Sequence, residues 1–171
     1  MRYLSWHYFL LPLLVCGLGA AGPTTPAGSY TDPANGFSMG VPSLGEVKQE
    51  RVVLTIFQGV PEADGFTPNV TVAVDPVKTT REDYVKATAD TLAKTNPKAT
   101  IRSWRQLAVS GKDAEVVDYD ANMAGRRLRF MQLMVFADDR VFVVTCTAPV
   151  EAFPNYLASF EKCIESFNLT H

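Results

Sequence analysis

The segment Lys112–Ala148 places apolar side chains on both faces of the strands that it is predicted to form. Successive side chains of a strand point to opposite faces of the sheet, so the two sets can be separated by position. One face carries Met131, Leu133, Val135, Phe142, Val144 and Cys146, and the other carries Phe130, Met134, Phe136, Val141 and Val143. An antiparallel sheet with two apolar faces must be covered on both. The sequence therefore predicts a layered fold.

Turn chemistry sets the register of the last two strands in this segment. If Asp138 and Asp139 form a two-residue turn, Leu133 lies opposite Val144 and the neighbouring pairs follow from it. The same turn sets Met131 opposite Cys146. This register keeps each apolar set on one face.

The remaining elements complete an α+β pattern. A first strand is predicted to begin at Phe37, and further strands are predicted at 50–58, 70–77 and 100–111, the last with Arg102 and Trp104 on one side and Ser103 and Arg105 on the other. Two amphipathic helices are predicted, one after the strand at 70–77 and one after Ala148. The first begins with a capping box, in which Thr79 precedes Glu82 by three positions. The order is three strands, a helix, four strands and a helix. It predicts an α/β/α sandwich, with a central antiparallel sheet of about seven strands and helices on both faces.

The first 21 residues have the composition of a secretory signal peptide. A basic residue at the start precedes an apolar run, and small side chains end it, which favours cleavage after Ala21. Lipidation at Cys16 is the alternative, although Val15 is unusual before a lipidated cysteine. A retained membrane anchor is the third reading, because the apolar run is close to the length needed to span a bilayer.

Residues 22–29 are rich in Pro, Gly and small polar side chains, which is typical of a flexible linker, and the folded domain is expected at 30–171. Removal of residues 1–21 takes away Arg2 and no acid, which leaves 15 basic residues against 18 acidic ones, a net charge of −3. An acidic exported chain is not expected to bind nucleic acid. The sequence predicts a periplasmic or secreted protein that contacts a membrane only through an uncleaved or lipidated N-terminus.

Several short motifs resemble the PsbP/DcrB-like superfamily. They are Tyr30, the run Gly36-Phe37-Ser38-Met39, Val41-Pro42, the helix start Thr80–Tyr84 and the closing Ser166-Phe167. The resemblance covers nearly all of residues 30–169 and marks the fold. Members of this superfamily serve as accessory subunits, envelope lipoproteins and chaperone-like binders. The resemblance implies a non-catalytic accessory domain of the cell envelope that acts on another envelope or secreted protein and needs no cofactor.

Histidine is missing from the predicted domain except at its last residue. His7 lies in the predicted signal peptide and His171 ends the chain. Catalytic arrangements that use histidine, and zinc sites with histidine ligands, are therefore not expected. No phosphate-binding loop or dinucleotide fingerprint occurs either. The sequence predicts a protein that is not an enzyme and has no metal site.

A row of alternating acids, Asp113, Glu115, Asp118 and Asp120, is the one candidate for acid/base chemistry. A hydrolase would use Asp118 and Asp120 as its carboxylate pair. If the tetrapeptide at 122–125 forms the turn, however, Asp120 lies opposite Arg127 and Asp118 opposite Arg129. Ordinary exposed cross-strand ion pairs are therefore favoured.

Two cysteines of the domain are predicted to meet. Cys146 lies in the last long strand and Cys163 on the apolar seam of the last helix. In an oxidising compartment they would form a disulfide that joins this helix to the sheet. Two buried free thiols are the alternative, because free cysteines are often core residues.

Candidate partner contacts lie at two places. The loop Gly59–Asn69 offers Phe66, and the strand at 100–111 offers Arg102, Trp104 and Arg105.

An alternative function is a carrier or sensor of a small apolar molecule. Its pocket would lie between sheet and helix, lined by Met131, Met134 and phenylalanines. Close packing of the same side chains is the competing interpretation.

Overall fold

The computed structural model describes residues 28–42, 47–50, 54–76 and 79–170. Within these ranges the chain forms ten strands and two helices. In chain order they are β1 (Ser29–Asp32), β2 (Phe37–Gly40), β3 (Val47–Glu50), β4 (Leu54–Gln58), β5 (Asn69–Asp75), α1 (Arg81–Thr95), β6 (Thr100–Val109), β7 (Lys112–Met123), β8 (Arg126–Phe136), β9 (Val141–Pro149), α2 (Phe153–Glu165) and β10 (Asn168–Leu169).

The strands form two antiparallel sheets. The larger has seven strands in the order β3-β4-β5-β9-β8-β7-β6, and the smaller has the order β1-β2-β10. The mixed α+β class and the large antiparallel sheet predicted from the sequence are thereby confirmed. Of the strand predicted over 50–58, Leu54–Gln58 form β4, whereas Glu50 belongs to β3, which pairs antiparallel with β4; residues 51–53 lie outside the described residues.

The register of β8 and β9 is the predicted one. Leu133 pairs with Val144 and Met131 with Cys146. The turn is closed by the Ala137 amide, which donates to the Arg140 carbonyl at 3.0 Å. The two aspartates of the turn were therefore a sufficient signal for the register.

The register of β7 and β8 differs from the prediction by two residues. Asp120 lies opposite Arg129 instead of Arg127, because the turn consists of Ala124 and Gly125 alone. Both have positive φ, 50° and 77°, as a two-residue hairpin turn of the I′ type requires. A shift of two leaves every side chain on its predicted face, since the strand period is two.

Two apolar clusters lie on opposite faces of the large sheet. The first, here the Leu133 face, joins strand residues to residues of α2 and of the small sheet, among them Phe37, Met39, Met131, Leu133, Val144, Cys146, Phe160 and Cys163. The second, here the Met134 face, joins strand residues to residues of α1 and of the loop after β4, among them Phe66, Tyr84, Leu92, Tyr119, Phe130, Met134 and Val143. The predicted separation of the two apolar sets is confirmed.

Helix α1 begins one residue later than predicted. Thr80, not Thr79, is the N-cap, and its hydroxyl accepts a hydrogen bond from the Asp83 amide at 3.1 Å. Its buried side chains are Tyr84, Thr88 and Leu92, spaced by four residues along one stripe.

Helix α2 buries the aromatic seam expected of it, with Phe153, Phe160, Cys163 and Ile164 inside. Neither helix of the described part has the length and apolar character needed to cross a lipid bilayer.

The small sheet contains the first strand that the structure describes. Ser29 already belongs to β1, one residue before the predicted start at Tyr30. Phe37 is buried and stacks on Phe167 with ring centroids 5.5 Å apart. Gly36, with φ +74°, turns the chain into β2, where a Cβ would approach the Thr170 carbonyl to 2.9 Å. The predicted signal peptide at 1–21, its Cys16 and residues 22–27 of the predicted linker lie outside the described residues.

Candidate functional site

Strand β6 forms one edge of the large sheet. It pairs with β7 on one side, and among the described residues no strand lies on the other. Most of its side chains are exposed, including Ile101 at 47%. An edge strand presents main-chain N–H and C=O groups that a further strand can bind.

A bulge in β6 changes the predicted distribution of its side chains. The register with β7 shifts between Ile101 and Ser103, so the prediction that Arg102 shares a side with Trp104 is wrong. The extra residue of a bulge sets two successive side chains on one face. Arg102 and Ser103 therefore both lie on the Leu133 face, followed there by Arg105, whereas Trp104 lies on the Met134 face.

Asp120 is the centre of an arginine-rich group on the Leu133 face. Arg102 binds it with two parallel hydrogen bonds, Nε to Oδ1 at 2.7 Å and an Nη2 nitrogen to Oδ2 at 2.8 Å. Arg127 adds a third at 3.2 Å. Asp120 is only 4% exposed. The hydrogen bond from Arg102 holds the pKa of the Asp120 carboxyl below its ordinary value, although burial opposes this.

Asp118 has a similar arrangement one step along β7. Arg129 donates to both carboxylate oxygens, at 2.9 and 2.6 Å. The same guanidinium lies 4.4 Å from the ring centroid of Phe153. Both predicted ion pairs therefore exist, but they are diagonal and their carboxylates are buried, so the prediction of directly opposed, exposed pairs is wrong.

The arginines of these ion pairs, together with Arg105, form a positive surface that extends from the edge strand β6 across β7 to β8. Arg102, Arg105, Arg127 and Arg129 are here called the arginine surface. Four guanidiniums face two carboxylates, which leaves a surplus of two positive charges. Arg127 is 61% exposed at its side chain. Arg105 is exposed, and no ion pair to it occurs within the described ranges.

Trp104 is fixed on the opposite face. Glu115 is buried and accepts the Trp104 indole N–H at 3.0 Å and an Arg81 guanidinium N–H at 2.8 Å. The indole remains half-buried. Trp104 can therefore offer part of its ring to a partner, but its N–H is already used.

Phe66 is a core residue, which contradicts its predicted role as a partner contact. It is 5% exposed and belongs to the Met134-face cluster. Its loop is held by Arg126, which donates to the Asp64 carboxylate at 2.6 Å and to the Asp64 carbonyl at 2.7 Å. The turn at Gly65, with φ +77°, directs the aromatic ring inward.

The predicted apolar pocket does not assemble. Met131 lies on the Leu133 face and Met134 on the Met134 face, and both are buried. Two side chains on opposite faces of one sheet cannot line a common cavity.

Cys146 and Cys163 are both buried in the Leu133-face cluster, and in the structure both are free thiols. Burial raises the pKa of the Cys146 thiol well above its ordinary value, and the neighbouring Cys163 raises it further. The structure therefore shows the buried free thiols of the alternative interpretation, and the disulfide between Cys146 and Cys163 stays a prediction.

Gln132 is a feature that the sequence did not single out. It is 2% exposed on the Met134 face and donates from Nε2 to the Thr145 hydroxyl at 2.9 Å. Its Oε1 has no hydrogen-bond partner in the described part of the chain. The sequence does not show whether a glutamine in a strand is buried or whether its side-chain carbonyl has a partner. Both properties depend on the residues that pack around it in the fold.

Comparison with known proteins identifies one family and several structures of the same fold. A family model described as DcrB matches residues 44–166. No curated protein matches the sequence.

Three solved structures illustrate the fold. The cyanobacterial PsbP (CyanoP) of Synechocystis sp. PCC 6803 is 15% identical with a TM-score of 0.60, over 89% of this chain and 98% of that one. LpqN of Mycobacterium tuberculosis, described as involved in cell envelope biogenesis, is 15% identical with a TM-score of 0.62, over 82% and 87%. PA94 of Pseudomonas aeruginosa, a protein of unknown function, is 16% identical with a TM-score of 0.62, over 81% and 93%. At such identities the likeness concerns the fold alone.

Proposed function

Because the chain belongs to the DcrB family, we propose that it is a non-catalytic accessory domain of the cell envelope that binds another protein. A structural relative described as involved in cell envelope biogenesis supports the compartment. The N-terminal sequence, with its features of a signal peptide, supports export.

The observation that carries this proposal is the arginine surface beside the open edge of β6. Its surplus charge is positive although the chain without residues 1–21 has a net charge of −3. Arginine is enriched at the centre of protein interfaces, where its planar guanidinium binds carboxylates with two hydrogen bonds. An acidic patch on a partner would complement this surface.

A rigid support for the surface is part of the proposal. We place one helix on each face of the large sheet, as in an α/β/α sandwich. Residues of α1 belong to the Met134-face cluster and residues of α2 to the Leu133-face cluster, which supports this arrangement. Binding residues on a packed sheet lose little conformational freedom when a partner docks.

The carboxylates of the site support a non-catalytic role. A general acid or base needs a pKa near the working pH, and enzymes obtain it by raising the pKa of a carboxyl group. The pKa of Asp120 is lowered instead, by Arg102. Asp118 accepts hydrogen bonds from two guanidinium nitrogens of Arg129, Nε and Nη2. Each carboxylate positions arginines, which in turn form the surface.

The test is purification of the tagged protein, expressed with its own N-terminus, from envelopes of the native host. Wild type is compared with an Arg105→Glu/Arg127→Glu variant and with a matched Lys86→Glu/Lys94→Glu variant, whose changes lie at exposed positions of α1. A stoichiometric protein partner should accompany the wild type and the lysine variant but not the arginine variant. Loss of the partner in both variants, or recovery in neither wild type nor control, contradicts the proposal.

A further inference from the structure

The edge of β6 suggests how the partner docks. Resting on the proposed function, we infer that the partner contributes an extended acidic segment that adds to the sheet along Trp104–Val109. This part of β6 pairs with β7 without interruption, whereas the bulge disturbs the strand before it. A strand that is regular and paired on one side presents alternate N–H and C=O groups on the other.

The chemistry of the edge favours a polypeptide over a small anion. A phosphate or a lipid headgroup could use the guanidiniums but would leave the main-chain carbonyls of β6 without donors. An extended segment supplies both donors and acceptors at the spacing of a strand. The two features that meet here, an open ladder and a positive surface, therefore point to one occupant.

Side-chain alternation specifies the sequence pattern of this occupant. Arg105 lies on the Leu133 face, opposite Val116 and two residues after Ser103, and Arg102 on the same face binds Asp120. Every second side chain of an added strand points to that face. On that face the edge strand carries Arg102 and Arg105, followed by Leu107 and Val109, so we expect Asp or Glu at the positions beside the two arginines. The intervening residues lie beside Trp104 and Gln106, where uncharged side chains fit.

A second copy of this chain is a poor occupant of the same edge. Antiparallel pairing of two β6 strands about a two-fold axis normal to the sheet brings both arginine surfaces onto one face. Two surplus positive charges would then face two more, and like charges on neighbouring strands are destabilising. The bulge and the arginines thus act as protection against self-association.

The experiment measures peptide binding to the ¹⁵N-labelled protein by NMR in 50 mM salt. The probe is acetyl-(Thr-Glu)4-amide, and acetyl-(Thr-Lys)4-amide is its charge-reversed control. Two variants of the glutamate peptide are N-methylated, one on every Thr and the other on every Glu. Because alternate main-chain N–H groups of an extended peptide point to the same edge, each variant lacks the hydrogen-bond donors of one edge. The glutamate peptide should shift the amide signals of Trp104–Val109, and one of the two methylated peptides should not bind.

Arg105→Glu should weaken binding of the glutamate peptide at least fivefold, whereas Lys86→Glu should leave it within twofold. Binding of both methylated peptides with unchanged affinity would show attraction by charge alone and overturn strand addition, as would an Arg105→Glu variant that binds like wild type.

Failure of the glutamate peptide to bind overturns this inference. The proposed function still stands in that case if native envelopes yield a partner that depends on the arginine surface. Absence of any envelope partner overturns the proposed function even where the peptide binds.

Discussion

Asp120 illustrates how a single buried carboxylate organises the site. It lies beneath two guanidiniums, from the bulge of β6 and from β8, so the ion pairs connect three neighbouring strands. Removal of one partner from such a group leaves arginines without their acceptor, which costs more than an exposed pair contributes.

The lowered pKa of Asp120 predicts acid sensitivity. A carboxyl group whose pKa is lower in the folded state stabilises the fold above its unfolded pKa of about 4, and this contribution is lost as the pH falls through the folded pKa. Asp120→Asn should lower the free energy of unfolding at pH 7 by about 2 kcal/mol. Between pH 5 and 3 the variant should lose less stability than wild type. Urea denaturation across this range checks both, with the exposed Asp90→Asn as control. A variant with undiminished acid sensitivity would argue against the assignment.

Gln132 predicts the opposite response to mutation. A buried carbonyl without a partner costs about 1–3 kcal/mol, which offsets the hydrogen bond that the same amide makes to Thr145. Gln132→Met should therefore leave the free energy of unfolding unchanged or raise it by about 1 kcal/mol. Thermal and urea denaturation measure this, and Gln106→Met on the exposed edge is the control. A loss above about 2 kcal/mol would mean that Oε1 has a partner in solution, such as a bound water.

Among the elements, the β7–β8 turn carries a measurable strain. Ala124 has φ 50°, a conformation that costs a residue with a Cβ about 1 kcal/mol. Ala124→Gly should raise the free energy of unfolding by about 0.5–1 kcal/mol, and Gly125→Ala, at φ 77°, should lower it by about 1 kcal/mol. Urea denaturation of this pair provides the test. Effects of the same sign in both variants would be inconsistent with a turn of this type.

Helix α1 offers a similar test of its first residue. Thr80→Ala removes the hydroxyl that caps the Asp83 amide and should cost about 1 kcal/mol. Thr79→Ala removes a hydroxyl outside the helix and should change the free energy of unfolding by less than about 0.5 kcal/mol. Equal effects at the two positions, measured by thermal denaturation, would refute the assignment of the cap.

An element was predicted correctly where the residues that determine it are adjacent in the sequence, and less accurately where distant residues determine it. The turn at Asp138-Asp139 is encoded by its own residues, and the register that follows from it is correct. The tetrapeptide at 122–125 allows a turn of four residues or of two, and the choice depends on the pairing of the whole hairpin. Thr79 and Thr80 are equivalent as caps by sequence alone. In each case the error was one or two residues and left the element in place.

For the whole molecule, the sequence was enough to predict a large antiparallel sheet with an apolar cluster on each face. The site was less predictable, because it depends on contacts between distant segments. The inward direction of Phe66 requires the contact between Asp64 and Arg126, 62 residues apart. The exposure of Arg102 on the Leu133 face requires a bulge, which leaves no mark in the sequence.

The cysteines predict a covalent link between two layers of the molecule. In an exported protein, the thiols of Cys146 and Cys163 would each lose a hydrogen to a small disulfide oxidant, which is reduced to two thiols as the new S–S bond forms. Because burial raises the pKa of Cys146, the reactive thiolate is scarce in the folded state, and oxidation should accompany folding.

The exported protein should therefore lack two hydrogens relative to the reduced form by intact mass measurement. Reduction should lower its free energy of unfolding by about 3 kcal/mol. Alkylation of both cysteines in denaturant without a reductant would contradict this prediction.

Trp104 gives the edge of the sheet an optical signal of its own. The sequence has two tryptophans, and Trp6 lies in the segment that signal cleavage would remove. A single indole then remains, half in solvent and hydrogen-bonded to Glu115. Its emission wavelength depends on how much water surrounds the ring, so a strand laid along β6 should shift the spectrum to the blue. Fluorescence of the unlabelled protein would thus report occupancy of the proposed binding edge.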